Sequence, residues 1–158
     1  MAIEITLNRA EQVLAKYLAE ERFKNARRKG KPNQKVGDQP DWYTDLNGIG
    51  GEIAVAKKFN VYFDTELDSE ELPEHDLIIN GKKVDVKTTK YSDGMLLATL
   101  KKKVDSVDIY VLVTGEFPVY TIKKWCLSED LIDKKNIKNL GKGDGYALDQ
   151  DLLKDFEV

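Results

Sequence analysis

Apolar positions near the start of the chain recur at helical spacing. Ala10, Val13, Leu14, Tyr17 and Leu18 share one face of a helix predicted from about Asn8 to Arg28,. Asn8 and Glu11, three residues apart, can close its first turn as a capping box. KGKPNQKVGDQPDW follows, polar and rich in Gly and Pro, and reads as a loop,. A second helix, capped by Asp45 or Asn47, is predicted to run to about Phe59. In NGIGGEIAVAKKFN, Ile49, Ile53, Ala56 and Phe59, with Ala54 and Val55 beside them, make that helix apolar on most sides. It should be largely buried. Gly48, Gly50 and Gly51 are poor helix formers and imply close backbone packing near its start.

Beyond Phe59 the period becomes strand-like. VYFDT is a candidate strand. DLIIN and KKVDVKTTK follow, split by Asn80-Gly81, a strong two-residue hairpin signal,. MLLATL extends this meander in the simplest reading. DIYVLVTG is a continuous apolar run, as expected of a buried central strand. PVYTIKKW is a further strand, and SEDLIDKK opens with a helix cap. The element order points to an α/β or α+β sandwich.

Composition narrows the function classes. The chain has 158 residues, 41% hydrophobic and 34% charged, which suits one domain over 1–158, with an N-terminal helix and basic loop over 1–40 and a core over 45–125. No run approaches the roughly 18 apolar residues of a membrane span, and the N-terminus lacks a signal-peptide pattern. A cytoplasmic protein without membrane partners is expected. The lone Cys126 excludes an intramolecular disulfide and a multi-cysteine zinc site, and the lone His75 argues against a Ser-His-Asp triad,. Net charge is −3, but its distribution is uneven. Residues 22–35 carry Arg22, Lys24, Arg27, Arg28, Lys29, Lys31 and Lys35 without an acid. Residues 64–76 carry Asp64, Glu66, Asp68, Glu70, Glu71, Glu74 and Asp76 without a base. Such blocks can separate a phosphate-binding surface from a cation-binding one, or can be two solvated loops.

The hairpin from His75 to Lys90 carries the chemistry. Strand alternation puts Asp85 and Lys87 on one face and Val84 and Val86 on the other. Asp76, at the start of the preceding strand, can reach the neighbourhood of Asp85 across the turn. Two carboxylates brought together repel and become harder to ionise. A hard divalent cation removes that penalty, and Lys87 beside it can steady an attacking water or a phosphoryl group.

Asp76, a short hairpin, then Asp85-Val86-Lys87 resembles the PD-(D/E)XK nuclease superfamily, over roughly 45–115. That superfamily includes restriction endonucleases, Holliday-junction resolvases and phage-type exonucleases. Glu52, in GGEIAVAKKF, matches the glutamate its upstream helix often contributes, and a charge in a buried helix is costly without a partner. The resemblance implies an α/β, restriction-endonuclease-like fold with a central mixed sheet flanked by helices and an added N-terminal helix, Mg²⁺ or Mn²⁺ as cofactor, and hydrolysis of phosphodiester bonds in a nucleic acid, DNA being the expected partner. It implies Asp76, Asp85, Glu52 and the Val86 carbonyl as metal ligands and Lys87 as the orienting cation. A junction-resolving or phage-type enzyme fits the small size, and a homodimer would suit junctions. The sequence departs from the pattern's common form in three places. The middle acid is Asp85 where glutamate is commoner, which the pattern permits. Pro73 precedes Asp76 by three residues, and YSDGMLLATLKKKVDSVD does not read as the expected crossover helix. The competing reading is a nuclease-like module that binds nucleic acid without cutting it.

Other residues carry weaker signals. Arg27, Arg28, Lys29 and Lys31 can contact phosphate, although cations at a helix end also suit its dipole. Thr88 can touch phosphate or be simply a good strand residue, the reading favoured. Lys90 and the run Lys101-Lys102-Lys103 can track a nucleic-acid backbone or form a solvated face. His75 reads as an orienting neighbour of Asp76. Trp42 and Tyr43 read as loop aromatics capping the core, with base stacking the alternative. Trp125 and Cys126 read as core.

Overall fold

The computed structural model describes residues 2–28, 41–66 and 75–157. Strand β1 (Ile3–Thr6) is followed by helices α1 (Arg9–Arg28) and α2 (Asp41–Phe59). Then come β2 (Leu77–Ile79), β3 (Lys82–Thr89), β4 (Leu96–Thr99), β5 (Ile109–Glu116) and β6 (Val119–Leu127). A short helix α3 (Ser128–Leu131), strands β7 (Ile137–Asn139) and β8 (Asp144–Leu148), and two 3-10 turns complete the order. No described helix is long and apolar enough to cross a membrane.

The expected mixed α/β architecture is present. A five-stranded sheet has the order β1-β6-β5-β3-β2, and a three-stranded sheet has the order β4-β8-β7. β3 and β5 are parallel, and the other pairs are antiparallel. Alternation along β5 sends Val111 and Val113 into a core under α1 and α2, and Tyr110 and Leu112 into a second core under the small sheet,. The large sheet is therefore covered by helices on one face and by the small sheet on the other.

Local chemistry accounts for the element ends. Asn8 and Glu11 form the capping box: the Asn8 N–H donates to Glu11 Oε1 at 2.7 Å and the Glu11 N–H to Asn8 Oδ1 at 2.9 Å,. α2 ends in a Schellman motif. Asn60 takes the left-handed conformation (φ 54°), the Val61 N–H reaches the Ala56 carbonyl at 3.0 Å, and the Asn60 N–H reaches that of Lys57 at 3.3 Å,. Asn80 and Gly81 both have positive φ, 51° and 77°, as a tight two-residue hairpin requires,. Gly50 and Gly51 are where α2 lies against the sheet. A Cβ on Gly50 would run into the Tyr120 ring, and one on Gly51 into Thr88.

Several expectations need correction. The buried stripe of α1 is Ala15, Leu18 and Ala19, with Leu14 partly buried, while Val13 and Tyr17 are 59% and 56% exposed. The stripe turns toward α2, one position on from the face the apolar count favoured. Asn47 caps no helix: α2 already runs from Asp41, and Asn47 is buried inside it. Its Nδ2 donates to the Gly115 carbonyl at 3.1 Å, and its Oδ1 accepts from the Phe117 N–H at 3.0 Å, tying α2 to the β5–β6 turn. Ser128 caps nothing either, since Leu127 holds the cap position of α3. VYFDT is no strand. Val61 and Phe63 alternate into the core without a pairing neighbour. MLLATL does not extend the hairpin meander; as β4 it pairs with β8 in the small sheet. The crossover between parallel β3 and β5 thus runs through a strand of a second sheet, with no helix described between Lys90 and Asp108.

Candidate active site

The site forms where the edge of β3 opens. β2 pairs only with Lys82–Val84. Just before β2, the Asp76 N–H continues the ladder to the Val84 carbonyl at 2.9 Å. The Asp76 carboxylate then takes the Val86 N–H on Oδ2 at 2.7 Å. A side chain has replaced the next strand residue. In an extended strand a residue's N–H and C=O point to the same side, so the Val86 carbonyl faces the same opening.

Around this edge stand the four residues singled out from the sequence. Asp85, 3% exposed, lies on the face of β3 opposite Val84 and Val86, as alternation requires. Lys87 Nζ is 3.3 Å from its Oδ1. Glu52 reaches in from α2 to the Asp76 carboxyl, close enough for each to act on the other's protonation. Burial pushes the Glu52 carboxyl above its ordinary range; Arg22 opposes the shift and Asp85 adds to it,. Burial also pushes Asp76 well above its ordinary range, and the charges of Glu52 and Asp85 add to the shift. The Val86 N–H and Lys87 pull the other way. Glu52 and Asp76 are therefore hard to ionise together,.

Two cations were not singled out individually from the sequence. Lys102 Nζ, from the loop after β4, lies 3.0 Å from Asp85 Oδ2, closer than Lys87 lies to Oδ1. Arg22 of α1 lies 3.8 Å from Glu52 Oε2. The signal for Lys102 was only its place in a lysine run, and for Arg22 its place in a basic block. Neither reveals a partner distant in sequence.

Among the described residues, no three Asp, Glu, His or Cys side chains are arranged to hold a metal ion. The carboxylates are close enough to shift one another's protonation, yet each faces a protein partner: Asp85 two lysines, Glu52 an arginine and Asp76 a backbone N–H. The donor set, three carboxylates and a carbonyl, suits a hard divalent cation in kind. Coordination requires Asp85 to exchange its two lysines for the ion.

No family model, curated protein or solved structure matches the chain.

A groove of about 950 Å³ leads away from Lys87 between the first turns of α2, the end of β3, β4 and the β7–β8 turn. Lys90 lines it, with its Nζ 5.2 Å from the Tyr91 ring centre. Thr88 lines it too, but its hydroxyl is buried beside Gly51 without a hydrogen-bond partner. His75 is half-buried next to Asp76. Trp42 and Tyr43 sit on α2, not in a loop. Trp42 is 59% exposed, and the Tyr43 hydroxyl donates to Glu116 Oε1 at 2.6 Å. Cys126 is buried core, its thiol pushed up to about 12 by burial, while Trp125 packs partly buried on the opposite core. Arg27 and Arg28 close α1, but their side chains, and Lys29, Lys31, Lys35, Asp68, Glu70, Glu71, Pro73 and Glu74, lie outside the described residues.

Proposed function

We propose that this protein is a metal-dependent nuclease that hydrolyses phosphodiester bonds in DNA with Mg²⁺ or Mn²⁺. The observation that carries this reading is the meeting of Glu52, Asp76, Asp85 and Lys87 at one open strand edge, with two of the acids held above their ordinary pKa. A fold that buries like charges together without a ligand forgoes stability, and a divalent cation restores it. The central mixed sheet with α2 against it supports a restriction-endonuclease-like architecture, in which β4 and the small sheet replace the usual crossover helix.

Asp76, Asp85, Glu52 and the Val86 carbonyl would hold the ion. When bound, it would supply Lewis-acid stabilisation of the phosphoryl oxygens and a more acidic water. The chain's own groups do the rest. Lys87, at the mouth of the groove, orients the attacking water and offsets charge gathering on the phosphoryl oxygens,. Arg22 holds Glu52 to the site. The hydrogen bond from Val86 fixes Asp76 in one rotamer, so that Asp76 and Asp85 meet at a set spacing.

One observation favours a second reading, a nucleic-acid-binding module that does not cut. Lys87 and Lys102 together neutralise Asp85 without any ion. Titration with Mn²⁺ separates the two. The nuclease binds it, with affinity lost in Asp85→Asn; the module does not bind it.

A further inference from the structure

The chain carries a net charge of −3, yet the groove beside the site has the opposite sign. Lys87, Lys90, Lys101 and Lys142 line it against a single carboxylate, Asp144. Lys142 stands at the tip of the β7–β8 turn between Gly141 and Gly143, both at positive φ, 96° and 121°. That turn projects a cation over the groove. Lys101 is exposed, and Lys90 sits in the bend just past the end of β3. Lys87 is paired with Asp85 at the inner end; Lys90, Lys101 and Lys142 form the rim beyond it, where Asp144 is the one lining acid.

The floor is different in kind. Leu97 of β4 and Leu112 of β5 lie beneath the rim, with Leu140 on the far wall. Tyr91, 54% exposed, stands at one side. A cationic rim over an apolar floor with an aromatic at its edge fits a polymer with anions along one side and flat apolar faces along the other. A single nucleic-acid strand has that form, because its unpaired bases leave their π-faces open for stacking while its phosphates run along the lysines. A duplex does not, since its base faces are stacked on one another and only polar edges and phosphates remain. The groove measures about 950 Å³ and is partly open to solvent, as a site for a continuing strand must be.

We infer that this groove binds single-stranded DNA and delivers the strand to Lys87. The inference rests on the nuclease reading for what happens at Lys87, but not for binding. The substrate class is thereby a single strand or a frayed end in preference to a closed duplex. The sequence singled out Lys87, Lys90 and Lys101 separately and passed over Lys142; the small sheet gathers them.

The test is fluorescence anisotropy with the full chain in EDTA, using a labelled oligothymidylate about twelve residues long and its duplex with oligodeoxyadenylate. The single strand should bind at low salt at least about tenfold more tightly than the duplex. A triple variant Lys90→Ala, Lys101→Ala, Lys142→Ala should bind at least about tenfold more weakly, and its salt slope should flatten by about 0.7 for each lysine removed. Tyr91→Ala should lose roughly tenfold through lost stacking. Equal binding of duplex and single strand overturns the inference, as does a triple variant that binds like the parent. The two readings fail separately. Strand binding by the groove with no cleavage under any divalent metal sinks the nuclease and leaves the groove. Metal-dependent duplex cleavage without strand binding does the reverse.

Discussion

Lys102 reaches Asp85 from a loop that follows a strand of the other sheet, and at 3.0 Å it is the nearer of the two lysines on that carboxylate. Asp85 is thereby saturated by ammonium groups while almost fully buried. A divalent cation binding there competes with both. Lys102→Met keeps the stem and removes the charge. We expect Mn²⁺ affinity, measured by calorimetry, to rise about three- to tenfold, in line with a pair worth near 1 kcal/mol. Weaker Mn²⁺ binding in Lys102→Met would mean that Lys102 supports the site and does not compete for it.

The raised carboxyls give stability a pH dependence of unusual sign. Glu52 and Asp76 have folded-state pKa values above their unfolded ones. The folded chain therefore holds more protons, and stability falls as pH rises between the two. The contribution is complete below the ordinary carboxylate range and is lost as pH passes the raised folded values. In EDTA the melting temperature should decline from mildly acid to neutral pH, and Glu52→Gln should flatten that decline. Mn²⁺ should restore stability at neutral pH by binding the folded state. A Glu52→Gln profile parallel to the parent's would falsify this assignment.

Gly51 and Thr88 set how closely α2 approaches β3, and so where Glu52 arrives. A Cβ at Gly51 would collide with Thr88 Oγ1 and come within 3.1 Å of Thr88 Cβ. Alanine gains about 1 kcal/mol of helix propensity, but overpacking a rigid strand residue costs about 1–3 kcal/mol. We expect Gly51→Ala to be destabilised in urea and to lose activity. Adding Thr88→Ala removes Oγ1 and Cγ2 and should recover most of both. Absence of coupling in this double-mutant cycle would show that the contact does not position Glu52.

The Thr88 hydroxyl makes a separate test. It is buried without a partner, and valine has nearly the same shape. Thr88→Val should stabilise the fold by about 1 kcal/mol and leave cleavage intact. Loss of cleavage with a stabilised fold would give that hydroxyl a role at the phosphate.

What could be read from the sequence was local. Asn80-Gly81 specified the hairpin, alternation placed Asp85 and Lys87 on one face, and the apolar run of β5 marked the sheet's centre. The rest depended on contacts distant in the chain. VYFDT alternates because Val61 and Phe63 bury, and burial alternates whether or not a strand pairs. The apolar face of α1 was misplaced because Val13 and Tyr17 are apolar yet outward, and only the position of α2 decides which side is inside. β4 joined the wrong sheet in the sequence reading because its partner, β8, lies some fifty residues on, a distance at which pairing leaves no periodic trace. Lys102 was one lysine of three until the second sheet brought its loop to Asp85.

Lys87 is the residue whose removal tests the nuclease activity most directly. Incubated with single-stranded and linear duplex DNA and Mg²⁺ or Mn²⁺, the protein should cleave, with no cleavage in EDTA. Lys87→Ala should lower the rate about 10²–10³-fold while still binding Mn²⁺. Cleavage by Lys87→Ala at the parent rate, or no metal-dependent cleavage by the parent on either substrate, would contradict it.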